Sequence, residues 1–216
     1  MFDSSKINGP HKNQPVLIAG KELENSDSAM ILIHGRGATA ASILNFAEEF
    51  KADNILYIAP QAENATWYPH RFLEPIEKNE PWLSSGLEII DMIERDLISS
   101  GISENKIYLL GFSQGACLAL EYAARNPGDY GGIFCLSGAL IGMPDNSFNY
   151  QGTFPDTPVF MGCSDDDFHI PIERFNKSAE ILERMGAKVE KRIYENMGHT
   201  VNKDEVDYIS NLIVSR

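Results

Sequence analysis

Short apolar runs recur along this chain with helical patterns between them, and no other feature narrows the fold as far. The runs are PVLIA from Pro15, AMILIHG from Ala29, NILYIAP from Asn54, KIYLLGFS from Lys106, GGIFCLSG from Gly131, PVFMGCS from Pro158 and VEKRIYE from Val189. Most are continuously apolar, the pattern of strands covered on both faces in a largely parallel sheet. From Trp82 to Ser100, Leu83, Leu87, Ile90 and Leu97 repeat at three- to four-residue multiples, with Glu88, Asp91 and Glu94 towards the other face. That spacing predicts an amphipathic helix. A second helix is expected from about Gln114 to Asn126, stopped by Pro127. Others are expected near Ala40 to Phe50, Ile172 to Met185 and Lys203 to Val214. Alternation of strand and helix predicts an α/β layered fold. A chain of 216 residues is short enough for one core, so residues 1–216 are expected to form a single domain.

The chain carries 31 Asp and Glu against 18 Lys and Arg, a formal net charge of -13. That balance repels phosphate backbones and anionic surfaces, so nucleic acid is not expected as a partner. No apolar run approaches the length of a membrane span, and stable insertion is not expected either. The opening residues MFDSSKINGPHKNQPV have neither the apolar core of a secretory signal nor the Arg-rich bias of a transit peptide, which makes a cytoplasmic location the expectation. Cys117, Cys135 and Cys163 show no C-x-x-C spacing and read as small buried residues. Two regions read as long loops, Gln61 to Pro81 and Gly142 to Pro158. The aromatics of the first and of the helix start after it, Trp67, Tyr68, Phe72 and Trp82, are expected to line an apolar pocket, with surface-loop packing as the alternative.

Gly111-Phe112-Ser113-Gln114-Gly115 is a G-x-S-x-G motif between an expected strand and an expected helix. Small residues two positions either side of the serine let strand and helix approach through a sharp turn that projects the hydroxyl clear of the sheet. Ser113 is therefore the expected nucleophile, and the helix N-terminus favours developing negative charge. A serine hydroxyl needs a base to remove its proton and a group to orient that base. In such folds the acid and the histidine follow the serine. Of five histidines, His169 and His199 do so. His199, in ENMGHTVNKDE between the last strand and the last helix, can reach across to Ser113; His169, two residues from an acidic cluster, is the weaker choice. IHGRGA ends another strand, and the backbone N–H of Arg36 beside that of Gln114 can supply an oxyanion hole. His34 reads as a buried hydrogen-bonding residue holding that loop, and the Arg36 side chain as either solvated or in contact with substrate.

GFSQGA with IHGRGA, WYP, SDDDFHIP and MGHT, in this order and spacing, resembles the phospholipase/carboxylesterase family of α/β-hydrolases, which includes acyl-protein thioesterase-like enzymes and small bacterial carboxylesterases. The resemblance runs from about Gln14 to the C-terminus. It implies a mostly parallel central sheet with helices on both faces, no large cap domain, and hydrolysis of carboxylic esters or thioesters without a cofactor. Arg36 departs from the pattern, because acyl-protein thioesterases resemble one another in an apolar residue there. Family members carry the acid in Asp-x-x-Val/Ile-Pro, and counting back from Ile170-Pro171 gives Asp167, with Asp165 the alternative and Asp166 in the turn. Adjacent aspartates alternate in direction, so a metal site is not expected in this cluster.

The expectation is a serine hydrolase acting on a small-molecule ester through Ser113, His199 and Asp167. Two rivals stand beside it. One is an acyl thioesterase or lysophospholipase with the same triad; the other is a non-catalytic ligand-binding protein on the same fold.

Overall fold

A computed structural model describes residues 1–50, 52, 54–143 and 148–215. The strands β1 (Val16–Gly20), β2 (Ser28–Ile33), β3 (Ile55–Pro60), β4 (Ile107–Phe112), β5 (Gly132–Leu136), β6 (Pro158–Ser164) and β7 (Lys188–Tyr194) form one seven-stranded sheet ordered β1-β3-β2-β4-β5-β6-β7. β1 lies antiparallel to β3, and every other neighbouring pair is parallel. The helices are α1 (Ala40–Ala47), α2 (Trp82–Ser99), α3 (Gln114–Arg125), α4 (Ile172–Arg184) and α5 (Lys203–Val214).

Two cores explain why the central runs carry no alternation. On β2, Ala29, Ile31 and Ile33 pack into the cluster shared with α2, α3 and α4, whereas Met30 and Leu32 pack into the cluster shared with α1 and α5. Both faces of the sheet are thus dry, and the inner strands are apolar through their middles, with serines only at the ends of β2 and β6. The edges differ: β1 leaves Ile18 59% exposed, and β7 carries Lys188, Glu190, Lys191 and Arg192, a charged edge that discourages pairing with another chain.

The expected elements form within a few residues of their expected limits. α1 stops at Ala47 rather than Phe50, because Glu48, Glu49 and Phe50 donate to carbonyls three residues back and tighten the chain into a narrower turn. On α2 the expected polar face needs correction. Glu94 is buried, its Oε2 accepting from the Tyr122 hydroxyl at 2.7 Å and the Tyr130 hydroxyl at 3.3 Å, and burial raises its pKa. α2 lies against α3, so Ile93 and Glu94 go inside while Leu87 stays half-buried. Of the loop Gly142 to Pro158, residues 144–147 lie outside the described residues. Among the described residues no helix is long and apolar enough to cross a membrane.

Parallel strands bring their carboxyl ends to one edge, where the loops after β2, β4, β6 and β7 meet.

Candidate active site

Ser113 occupies the turn from β4 into α3 at φ 56° and ψ -119°, with its N–H bonded to the Leu136 carbonyl at 2.9 Å. The flanking glycines are required by contact rather than by φ. A Cβ on Gly111 would lie 2.2 Å from the Gly115 carbonyl oxygen, and one on Gly115 would lie 2.1 Å from that of Ile33. With nothing between strand and helix, the turn closes and lifts the hydroxyl to the sheet edge.

The hydroxyl oxygen is 2.7 Å from Nε2 of His199, and Nδ1 of His199 is 2.7 Å from Oδ2 of Asp167. A carboxylate has acceptors alone, so Nδ1–H donates to it and Nε2 of the neutral ring is left to accept from Ser113. The Asp167 side chain is fully buried, and its Oδ1 accepts the backbone N–H groups of His169 at 2.9 Å and Ile170 at 3.2 Å. Its Oδ2 also receives the Cys163 thiol at 3.8 Å, the thiol being held protonated by burial and by this carboxylate.

The three aspartates divide one task. Asp167 meets the imidazole, Asp165 Oδ1 accepts the N–H of Asn196, and Asp166 Oδ1 accepts that of Gly198. Ser164 Oγ accepts from Met197 and Gly198, each at 3.0 Å. The loop after β6 therefore holds the loop that carries His199. Cys163 is buried as expected, but neither its contact with Asp167 nor those of Ser164 with the histidine loop carry a sequence pattern that announces them. His169 serves Asp167 through its backbone; its ring stands 4.6 Å, centroid to centroid, from that of His199, and burial and that neighbour lower its pKa.

His34 is buried, with Nδ1 bonded to the Gly35 carbonyl at 2.8 Å and Nε2 accepting the Ala62 N–H at 3.1 Å. A Cβ on Gly35 would lie 3.4 Å from that of Ser113, which places this loop directly beside the serine. The backbone N–H groups of Arg36 and Gln114 have no acceptor among the described residues. The Gln114 side chain accepts from the Trp67 N–H at 2.9 Å and donates to the Tyr68 carbonyl at 2.8 Å. Arg36 is neither freely solvated nor idle: its guanidinium donates to the carbonyls of Tyr68 and His70 at 2.8 Å and of Pro69 at 2.9 Å.

A cavity of ≈ 780 Å³ opens over Ser113, within the usual range for small-ligand sites. Tyr68 and Phe72 line it, as do Phe112, Arg71, His169 and Ile170. Trp67 and Trp82 do not. The Trp67 indole N–H is buried and donates to the His34 carbonyl at 2.8 Å, and Trp82 packs against the ring of His11. An indole N–H inside the core needs an acceptor, and this one is found beneath the pocket rather than in its wall. Among the described residues no cluster of His, Cys, Asp or Glu converges as a metal site.

Residues 13–215 match the Phospholipase/Carboxylesterase family. The chain belongs to this family. A phospholipase/carboxylesterase structure from Dyadobacter fermentans DSM 18053 is 39% identical, covers 94% of this chain and 97% of its own, and superposes with a TM-score of 0.90. The fold is thus that of the α/β-hydrolases. Acyl-protein thioesterase 1 of Gibberella zeae is 28% identical over 84% of this chain and 87% of its own length. Acyl-protein thioesterase 1 of Neurospora crassa is 26% identical over 88% and 86%. Phospholipase/carboxylesterase membership thus extends over nearly the whole length of the sheet and the loops at its edge.

Proposed function

We propose that the chain is a serine hydrolase that cleaves carboxylic esters of small molecules through an acyl-enzyme. Ser113 Oγ attacks the acyl carbon while His199 Nε2 takes its proton, and Asp167 holds the ring and stabilises the imidazolium. The N–H groups of Arg36 and Gln114 receive the oxyanion. His199 then gives its proton to the leaving alcohol as the ester bond breaks. Water, deprotonated by His199, attacks the acyl-enzyme and releases the acid and the free serine.

The observation that carries this reading is the unbroken chain Ser113 Oγ to His199 to Asp167, with 2.7 Å at each step. A structural serine has no need of a neutral imidazole backed by a buried carboxylate. Labelling by a fluorophosphonate probe, lost in Ser113→Ala, tests it, together with initial rates on p-nitrophenyl esters of increasing acyl length. Absence of both labelling and turnover in folded protein would favour the non-catalytic binding reading. Thioester cleavage is the second reading, supported by the relatives described as acyl-protein thioesterases. Rates on matched oxygen and sulfur esters decide between them.

A further inference from the structure

The charges around the cavity do not follow those of the whole chain. Arg36 and Arg71 both line it, and neither has a carboxylate within 4.0 Å among the described residues. The carboxylate of Glu74, also in the wall, is committed to Lys78 at 2.9 Å. Asp167 lies beneath, fully buried and bound to His199. In a chain of 31 acidic and 18 basic residues, two arginines line a cavity whose Glu74 carboxylate feels Arg71 electrostatically but is hydrogen-bonded to Lys78, which leaves a local positive excess. Charge elsewhere on the surface is screened within about 8 Å at physiological salt, so these near groups decide what the cavity attracts.

Arg36 is also immobilised. Three consecutive carbonyls, of Tyr68, Pro69 and His70, take three of its N–H groups, and a guanidinium has about five. Its remaining donors and its full charge are thereby held at the wall beside Ser113, with the ordering cost already met by the fold. Arg71 supplies a second permanent charge three residues beyond Tyr68, near enough to His169 to act on it electrostatically. Its guanidinium makes no hydrogen bond among the described residues. Phe72, Phe112, Phe168 and Ile170 supply an apolar part of the lining that accommodates a short hydrocarbon segment between reacting carbonyl and charge.

We propose that the preferred substrate bears an anionic group, a carboxylate or a phosphate, on its acyl or leaving part, and that Arg36 and Arg71 receive it. This rests on the serine-hydrolase reading above. The test compares kcat/KM for esters matched in length: p-nitrophenyl hexanoate against mono-p-nitrophenyl adipate and p-nitrophenyl 5-phosphonopentanoate for the acyl part, and benzyl butyrate against 4-carboxybenzyl butyrate for the leaving part. The adipate and phosphonate arms separate carboxylate from phosphate preference. At low salt at least one anionic ester is expected to exceed its neutral match by about fivefold or more, falling as salt is added. Arg71→Gln should lower that ratio and Arg71→Glu should invert it. Ratios at or below one in every pair, or ratios untouched by both substitutions and by salt, overturn the inference while neutral esters are still cleaved. Loss of all turnover and of Ser113 labelling in the unaltered protein would instead bring down the hydrolase reading, and the inference with it.

Discussion

The carboxylate of Asp166 accepts the backbone N–H of Gly198, the residue before His199, at 2.9 Å. With Asp165 on Asn196 and Ser164 on Met197 and Gly198, the end of β6 and the loop after it grip the histidine loop over the three residues before His199. A carboxylate at position 166 thus reaches the reaction through the place where it puts the imidazole, and its own pKa is lowered by the Ser164 hydroxyl and the Gly198 N–H.

Asp166→Ala is expected to lower kcat by roughly tenfold to a hundredfold, since small misplacements of reacting groups carry losses of that order. Asp166→Asn should lose less, its amide oxygen still accepting from Gly198. The rate of fluorophosphonate labelling at Ser113 should fall in parallel. Unchanged kcat and labelling in Asp166→Ala would show that the loop holds His199 without this contact.

Ser113→Ala and His199→Ala should each remove turnover by several powers of ten, roughly as much as removing both, because the groups act as a unit. Asp167→Asn should lower kcat by about four powers of ten, the amide favouring the wrong tautomer of His199. His169→Ala should keep measurable turnover, as its ring holds no position between base and acid. Equal abolition by the His169 change in folded protein would reopen the assignment of the base.

Glu205, at the start of α5, is fully buried, its Oε2 accepting the Asn202 N–H at 2.8 Å while its Oε1 has no partner among the described residues. Burial pushes its pKa from 4.5 to about 7. The folded protein thus holds this proton more tightly than the unfolded chain. The resulting stability is fully present below about pH 4.5 and is lost as pH rises through about 7. Glu205→Gln keeps an acceptor for Asn202 and cannot ionise. Its Tm relative to the unaltered protein should improve between pH 5 and pH 8 by the equivalent of about 1–3 kcal/mol. A Tm difference flat across that range would mean that Glu205 ionises in the folded state as it does in water.

Gly115→Ala should be among the most damaging single changes, at about 3 kcal/mol or more, because its Cβ would meet the Ile33 carbonyl, backbone that cannot swing aside. Thermal denaturation checks this. A Tm within a few degrees of the unaltered protein would mean that strand and helix can part here without loss.

The sheet was legible because its inner strands are dry on both faces, and that leaves a mark on every residue, as Met30 and Ile31 show by facing opposite cores. Ser113 and His199 were legible through motif and chain order. The pocket was not: aromatic content put Trp67 and Trp82 in its wall, whereas the hydrogen-bonding need of an indole and the packing of His11 hold them outside its lining. The Glu94 misreading has a similar source, since a helix pattern cannot foresee two tyrosine hydroxyls waiting inside. Nor could identical neighbouring aspartates declare their separate duties, which depend on a loop about thirty residues away.

The backbone at Ser113, φ 56° and ψ -119°, is where the first central residue of a type II′ turn sits, a place glycine takes freely and a serine does not. Holding a side chain there costs on the order of 1–3 kcal/mol. The residue that the proposed reaction most needs is then one that the fold would exchange for glycine: Ser113→Gly should melt higher than the unaltered protein while doing no chemistry. A screen for heat resistance alone would select against the hydroxyl.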